Sequence, residues 1–386
     1  MVYIGVYCCL VVSTLLVETL LWKHKMRKLL ENLLCGFFVF SVLALKGTSV
    51  GNDTQTYFEI YEWTKITAWS DIGSYYTSIE TCFKILFKIF SFCGLPYSLF
   101  SAFLYSFICF SFGFFFSKYS ATPGLCWCVF FSLGEFTFVA SGIRQTLALS
   151  LSLLGLSIFS LSSKKWWTWP LSALITLLIA PLFHSSAILF SVIYLGFFLN
   201  FNKPSGFLLI FVIATLLLIF GYPLLSLYVY KLNNNAEVGA YAQFYTAQIG
   251  GTSVLYAVAI LLFCVLSFLP RTTATHPQRG GLIEALSERV PAESKIKNGH
   301  SLLLWGCALA LFVRLLGSFN SMATRLAVYF DIFYCPLLPV MLVKIKKAPT
   351  KLVFLSLFLA CLPLYFYYTT LRTNYLGLLP YRFFWQ

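Results

Sequence analysis

Apolar stretches of roughly 18–22 residues, about the length of a membrane-spanning helix, recur along the whole 386-residue chain. A chain with this pattern cannot fold as a water-soluble globule. The composition agrees, because 59% of the residues are hydrophobic and only 10% are charged, whereas a typical soluble protein is about 25% charged. The sequence therefore predicts an all-α polytopic integral membrane protein.

We expect about 12 transmembrane helices, because helices satisfy the backbone polar groups inside lipid. The predicted spans, in chain order, are Val2–Trp22, Leu29–Leu45, Tyr97–Ser117, Gly124–Ala140, Gln145–Ser162, Thr168–Phe183, Ser185–Asn200, Gly206–Tyr230, Thr252–Leu269, Ser301–Gly317, Arg325–Val343 and Leu352–Thr370. No linker or fixed-period repeat divides residues 1–386, so a single polytopic domain is expected. Pro270–His300, the only stretch with soluble-protein composition, is expected to be a cytoplasmic connector.

The segment Tyr76–Cys93 decides the topology. Its apolar residues are interrupted by Glu80, Lys84 and Lys88 on one helical face, which predicts an amphipathic helix lying along the outer membrane surface. With this segment outside, most of the 27 basic residues fall in cytoplasmic loops, as the positive-inside rule requires. A crossing would invert that bias. We therefore predict a first outer (periplasmic) loop over residues 46–96, with both termini outside.

Several function classes are excluded by missing motifs. The chain has no G-x-x-x-x-G-K-[ST] phosphate loop, no H-E-x-x-H zinc motif and no G-x-S-x-G nucleophile elbow. Its 12 cysteines lack the spacing of a metal site, so we expect no metal and no redox pair. The basic residues are dispersed over short loops, which is untypical of a nucleic-acid-binding module.

The predicted outer ends of the spans carry arginines that the positive-inside rule disfavours there. These arginines are Arg144, Arg314, Arg325 and Arg372. His184 maps to the same side, as does the acidic first outer loop with Asp53. Snorkelling to headgroup phosphates explains any one arginine, but their convergence favours an anion-binding cavity. The carboxylates of Asp331 and Glu135 are expected to pair with an arginine rather than react.

Five short patches on this predicted outer face follow one another in a specific order. They are Gly51-Asn52-Asp53-Thr54-Gln55-Thr56-Tyr57, Ser141-Gly142-Ile143-Arg144-Gln145, His184-Ser185-Ser186-Ala187, Arg325-x-x-x-Tyr329-Phe330 and Pro380-Tyr381-Arg382-Phe383. Together they resemble the EpsG-like branch of bacterial polysaccharide polymerases, related to Wzy-type O-antigen polymerases. The resemblance implies a GT-C-like membrane glycosyltransferase that joins undecaprenyl-diphosphate-linked oligosaccharide repeat units into O-antigen, capsule or exopolysaccharide.

The chemistry of that reaction suits arginine. Breaking a glycosyl–diphosphate bond builds negative charge on the leaving group, and a guanidinium stays charged and forks onto phosphate oxygens. Arg144 and Arg325 are the predicted catalytic arginines, and Asp53 and His184 are the candidate bases for the acceptor hydroxyl. The predicted diphosphate- or glycan-binding residues are Arg314, Arg372, Arg382, Tyr57, Gln145 and Tyr329. We expect no metal, nucleotide or other cofactor.

The resemblance also implies partners and a location. The lipid-linked oligosaccharide would be both donor and acceptor. Membrane lipid would surround the chain, and a chain-length regulator is the expected protein partner. We expect no nucleic acid to bind. The chain would lie in the bacterial inner (cytoplasmic) membrane as a multi-pass protein.

Three other classes stay open at this point. A lipid-linked-oligosaccharide flippase would show two repeated halves and deeper cationic residues. An O-antigen ligase usually presents one long outer loop. A proton-coupled transporter would need more mid-span carboxylates than Glu18 and Asp331.

Overall fold

The computed structural model describes residues 2–21, 24–160, 167–198, 299–317, 321–344 and 348–386. Over these ranges the secondary structure is helical, with one isolated β-bridge between Lys46 and Phe383. The all-α prediction is therefore confirmed for the described residues. The predicted spans Gly206–Tyr230 and Thr252–Leu269 lie outside them, as does all but the end of the predicted connector Pro270–His300.

The helices of the described ranges alternate between long apolar rods and short segments. The α-helices are α1 (Val2–Leu20), α2 (Arg27–Ala44), α3 (Thr54–Ile66), α4 (Thr81–Phe92), α5 (Tyr97–Tyr119), α6 (Pro123–Ser132), α7 (Glu135–Ser141), α8 (Ile143–Phe159), α9 (Thr168–Ala173), α10 (Ala180–Phe183), α11 (Gly299–Gly317), α12 (Ser321–Asp331), α13 (Tyr334–Lys344) and α14 (Ala348–Phe366). Trp69–Asp71 and Ser185–Phe197 form 3₁₀ helices, and Leu174–Ile179 and Tyr367–Leu371 are π-helical.

Within the described ranges, three helical runs are long and apolar enough to cross a bilayer alone. They are α1, α5 and the run Pro349–Leu371 that α14 forms with the π-helical turn after it. The pair α6–α7 passes the same test together but is bent by 68°. Shorter apolar helices include α8 and Thr168–Phe183. These helices support the prediction of a membrane protein. The prediction of about 12 crossings is not confirmed by the described part of the chain.

Two predicted spans are wrong as single helices. Gly124–Ala140 is broken at Leu133 and Gly134, where Gly134 has a φ of +105° that favours glycine, and the chain restarts as α7 at Glu135. The span predicted at Arg325–Val343 is divided into α12 and α13, so Arg325 lies inside α12 rather than at its beginning.

The segment predicted to lie along the membrane is helical only over α4. Its 12 residues extend about 18 Å, too short for a hydrocarbon core of about 30 Å. Lys84 and Lys88 are buried, and their ammonium groups donate to the carbonyl oxygens of Tyr75 (2.7 Å) and Thr64 (2.8 Å). The exposed side of α4 is apolar and carries Ile85, Ile89 and Phe92. An apolar exposed face suits contact with lipid, so the interfacial position stays a prediction with a physical basis.

Packing divides the described chain into two compact units. The first holds the described residues within 2–191 and 348–386, and in it α2 packs on α1 and α5, while α5 packs on α8. The second holds the described residues within 192–344, and in it α11 packs along α12. A single domain over the whole chain stays a prediction.

One end of the first unit is closed by the C-terminal segment. The Tyr3 hydroxyl at the start of α1 donates to the carbonyl oxygen of Leu378 (2.9 Å), and the Gly47 amide donates to that of Arg382 (2.7 Å). The tail therefore lies against the loop between α2 and α3, which contains Asp53. We call this region the Asp53 end of the first unit.

Candidate functional site

The loop that follows α2 packs directly on the junction of α7 and α8. Gly51 has a φ of +94°, and a Cβ atom there would lie 2.7 Å from the carbonyl oxygen of Ala140. Only glycine tolerates both this conformation and this close approach. The Asp53 amide donates to the Ser141 hydroxyl at 3.4 Å. Two patches distant in sequence, the G-x-D loop and Ser-Gly-Ile-Arg-Gln, are thereby brought side by side.

Arg144, in the first turn of α8, is held by three neighbours. Its Nε donates to the Tyr57 hydroxyl (3.3 Å), and its Nη1 donates to the carbonyl oxygen of Ser78 (3.2 Å) and to Oε2 of Glu80 (2.5 Å). The guanidinium also lies over the Tyr57 ring, 5.8 Å from its centroid, a cation–π arrangement. These contacts fix the plane of the guanidinium.

Glu80 joins Arg144 to His184. Its second carboxylate oxygen, Oε1, lies 3.0 Å from Nδ1 of His184 and accepts from the Ser185 amide at 3.2 Å. Glu80 immediately precedes α4, and His184 immediately follows α10, so two helix ends meet across this carboxylate. We call Glu80, Arg144 and His184 the Glu80 cluster.

The Glu80 cluster is charged and open to its surroundings. The side chains of Arg144, Glu80 and His184 are 18%, 20% and 25% exposed. Partial burial raises the pKa of Glu80, but the hydrogen bond to His184, its own backbone amide and the charge of Arg144 outweigh that effect and lower the pKa to about 2. The carboxylate is therefore ionised at neutral pH, and a negatively charged Glu80 orients Nδ1 of His184 as a donor.

Comparison with protein families gives a match over almost the whole chain. The family model described as "EpsG family" matches residues 32–383. The chain belongs to the EpsG family. Neither a curated protein nor a solved structure matches it. Membership in this family agrees with the resemblance found in the sequence patches and suggests a polymerase of polysaccharide biosynthesis.

In this EpsG-family chain, Asp53 lies beside the Glu80 cluster without joining it. Asp53 precedes α3, and its carbonyl oxygen accepts from the Tyr57 amide at 3.1 Å. Its half-buried carboxylate makes no hydrogen bond or ion pair with the residues that the structure describes. Tyr57, one turn further along α3, connects the two because its hydroxyl bonds to Arg144.

The second unit contains its own arginine–carboxylate pair. Arg314 on α11 donates to both oxygens of Asp331, from Nε at 3.0 Å and from Nη2 at 2.7 Å. The prediction that Asp331 pairs with an arginine is confirmed. Arg325 is exposed on α12, and Tyr329, one turn later, is buried. Their predicted roles in the site stay predictions.

The remaining predicted residues belong to the first unit. Arg372 is exposed after the π-helical turn and lies over the Tyr368 ring at 5.8 Å. Arg382 is exposed, and its backbone carbonyl oxygen accepts from the Gly47 amide. Gln145 is buried on α8. The structure therefore brings together Arg144, His184 and Tyr57 around Glu80, and the roles predicted for Arg372, Arg382 and Gln145 stay predictions.

Glu80 is the functional candidate that sequence reasoning missed. The spacing of Glu80, Lys84 and Lys88 predicts one exposed polar stripe, but Lys84 is buried against the loop carbonyl of Tyr75, Lys88 is buried against α3, and Glu80 bonds to Arg144. The sequence does contain a signal for Glu80. It is an acidic residue directly before an apolar helix, and it lies on the predicted outer face, where the arginines need an anionic partner.

Proposed function

We propose that this chain is the polymerase that joins undecaprenyl-diphosphate-linked oligosaccharide repeat units at the outer face of the cytoplasmic membrane. The observation that carries the proposal is the Glu80 cluster: one ionised carboxylate holds an arginine on one oxygen and a histidine on the other. Glycosyl transfer from a diphosphate needs a group that binds the anionic leaving group and a group that accepts a proton, and this open site offers both.

The reaction breaks one bond and forms another at the same carbon. The bond between the anomeric carbon of the growing glycan and its diphosphate oxygen breaks, and the electron pair leaves with the diphosphate. A hydroxyl oxygen of the incoming repeat unit bonds to that carbon and releases its proton. Arg144 would stabilise the leaving diphosphate with the N–H groups of Nη2, because Tyr57 occupies Nε while Ser78 and Glu80 occupy Nη1.

His184 is the proposed base for the acceptor proton. With Nδ1 donating to the Glu80 carboxylate, Nε2 carries the lone pair and accepts the proton. This is the same division of roles as in other carboxylate–histidine pairs, where the carboxylate sets the tautomer and stabilises the imidazolium. Asp53, with an unbonded carboxylate beside Tyr57, is the proposed group that orients the acceptor hydroxyl.

The exposed arginines outside the cluster have proposed supporting roles. Arg325, Arg372 and Arg382 would bind phosphate or glycan oxygens, and Arg314 would be held in position by Asp331. We propose that these cations do the work for which other transferases use a divalent metal. A chain-length regulator would act as a separate partner protein.

Deletion of the gene followed by gel analysis of the surface glycan tests the function. A polymerase deletion leaves single capped repeat units on the surface and no ladder, and wild-type complementation restores the ladder. Surface glycan of any kind would be absent after deletion of a flippase or a ligase. An unchanged ladder in the deletion strain contradicts the proposal.

A further inference from the structure

A second recess lies at the Asp53 end, across α3 from the Glu80 cluster. It is a cavity of about 230 Å³ between α3, the beginning of α5 and the C-terminal tail. Thr54, Phe58 and Glu62 line it at helical spacing on one face of α3, while Tyr57 on another face bonds to Arg144. One short helix therefore separates the two sites, with Asp53 at its beginning.

Aromatic rings form part of the cavity wall. Phe58 and Tyr97 line it and meet edge to face, with ring centroids 5.6 Å apart. Phe384 contributes from the C-terminal tail, where its amide donates to the carbonyl oxygen of Leu45 at 3.0 Å. Rings of this kind offer apolar faces against which the C–H face of a sugar ring can pack.

Hydroxyl groups form the polar part of the wall. Thr48, Thr54, Ser98 and Ser101 all line the cavity. The Thr54 hydroxyl already accepts from Lys46 and donates to the carbonyl oxygen of Val50, so the other three are the ones offered to a ligand. Each hydroxyl both donates and accepts hydrogen bonds, which is the bonding pattern of sugar hydroxyls themselves. A wall of rings and hydroxyls suits a ligand with one apolar face and a polar rim.

The charges at the cavity are nearly balanced. Lys46 is buried and donates to the carbonyl oxygen of Val50 (2.8 Å) and to the Thr54 hydroxyl (2.6 Å). Burial lowers the pKa of Lys46 to about 7, although the nearby Asp53 charge partly opposes the shift. Lys65 at the mouth is offset by Glu62, whose oxygens lie 2.6 and 2.7 Å from its ammonium. A neutral ligand fits this balance better than a phosphate does.

We propose that this cavity is a glycan subsite that binds one neutral sugar ring of the lipid-linked substrate. The identity of that substrate rests on the proposed function. The cavity is smaller than the roughly 300–1,000 Å³ of sites for drug-sized ligands, which suits a single ring. Holding one ring here would position the adjoining part of the glycan at Asp53, between the subsite and the Glu80 cluster.

Binding of a free oligosaccharide tests the subsite without requiring catalysis. The probe is the oligosaccharide released by mild acid from the host's lipid-linked carriers, and saturation-transfer NMR measures its binding to the full-length purified protein. Phe384→Ala removes a half-exposed wall residue and should weaken binding about tenfold, while Phe384→Trp should restore it. Ser101→Trp, which fills the cavity, should abolish the signal.

The neighbouring residue provides a matched control. Trp385 stacks on Phe383 with ring centroids 4.6 Å apart and meets the Phe384 ring edge to face at 4.9 Å, but it is exposed and does not line the cavity, so it controls for the packing of the tail. Trp385→Ala should bind the probe as the wild type does. If Ser101→Trp fails to fold, the variants Phe384→Ala and Phe384→Trp decide whether the cavity binds the oligosaccharide, because the Phe384 side chain lies at the surface.

The outcomes separate the subsite from the proposed function. Wild-type affinity in Phe384→Ala overturns the subsite even if the protein polymerises glycan. Loss of binding in Phe384→Ala supports the subsite even if the deletion strain keeps its ladder, which would contradict only the polymerase proposal. Displacement of the bound oligosaccharide by inorganic diphosphate would overturn the assignment of a neutral ligand.

Discussion

Two arginine–glutamate clusters occupy the two ends of the first unit, and they differ in access. The first is the Glu80 cluster. The second is formed by Arg27, at the beginning of α2, with Glu18 and Glu31. Glu18 is in the last turn of α1, roughly 23 Å along that helix from Tyr3 and the Asp53 end.

The Arg27 cluster is closed. The side chains of Arg27, Glu18 and Glu31 are 5%, 3% and 0% exposed. Nη2 of Arg27 also donates to the carbonyl oxygen of Ala121 at 2.9 Å, so the guanidinium ties α1, α2 and the segment before α6 together. No substrate group can reach these atoms without unfolding the site.

Arginine and glutamate therefore have different roles at the two ends of the first unit. A sealed network adds rigidity and makes removal of one partner costly, because the remaining charges stay buried. An open network contributes little stability but leaves its charges available to a ligand. We expect substitutions to separate the clusters into one that maintains the fold and one that performs chemistry.

The largest expected effect is on stability at the closed end. Arg27→Met leaves the buried carboxyl groups of Glu18 and Glu31 without their guanidinium partner and should lower the free energy of unfolding by about 3–5 kcal/mol. Membrane levels and thermal melting of the purified protein measure the loss. Neutralising the carboxylates as well, with Glu18→Gln and Glu31→Gln, should recover much of it. A normal melting temperature in Arg27→Met would contradict the structural role of the closed cluster.

At the open end the expected loss is catalytic. Arg144→Lys keeps the charge but not the fork, and should reduce polymer made in membrane vesicles about 100-fold while changing stability by about 1 kcal/mol or less. Arg325→Lys tests the second predicted arginine in the same assay. Exposed Lys25 is the control, since Lys25→Ala should have no effect. Wild-type polymer in both arginine variants would indicate that they only snorkel to headgroups.

Glu80→Gln should have a smaller effect on polymerisation. The variant keeps the shape of Glu80 but loses the charge that orients His184, so polymerisation should fall about tenfold. Because the pKa of Glu80 is lowered to about 2, the wild-type carboxylate is ionised at both pH 6 and pH 8. The loss of polymer in membrane vesicles should therefore be present at both pH values. Wild-type amounts of polymer in Glu80→Gln at either pH would contradict this role.

The smallest perturbation tests only the sidedness of the two ends. Single cysteines at exposed Lys65 and Lys25 should react with an impermeant thiol reagent from opposite sides of the membrane, Lys65 from outside. Labelling of both from one side would show that the ends do not face opposite compartments. A cysteine-free background is required, because Cys8, Cys93 and Cys361 are exposed.

The sequence predicted helices better than their interruptions. Period and hydropathy located α1, α2, α5 and α8 within a few residues, since each is a continuous apolar run. The break at Gly134 and the division between α12 and α13 were missed, because a short break does not alter the average hydropathy of a span.

The sequence by itself indicated a helical membrane protein that resembles the EpsG family, and it predicted that arginines and a histidine take part in the chemistry, because hydropathy and short motifs are local properties. Only the tertiary structure decided which of these residues meet. Glu80, Arg144 and His184 are separated by tens of residues, and their contact depends on how the ends of α4, α8 and α10 pack. Burial likewise gave Arg27 and Arg144 different surroundings, since access is a property of packing and not of residue type.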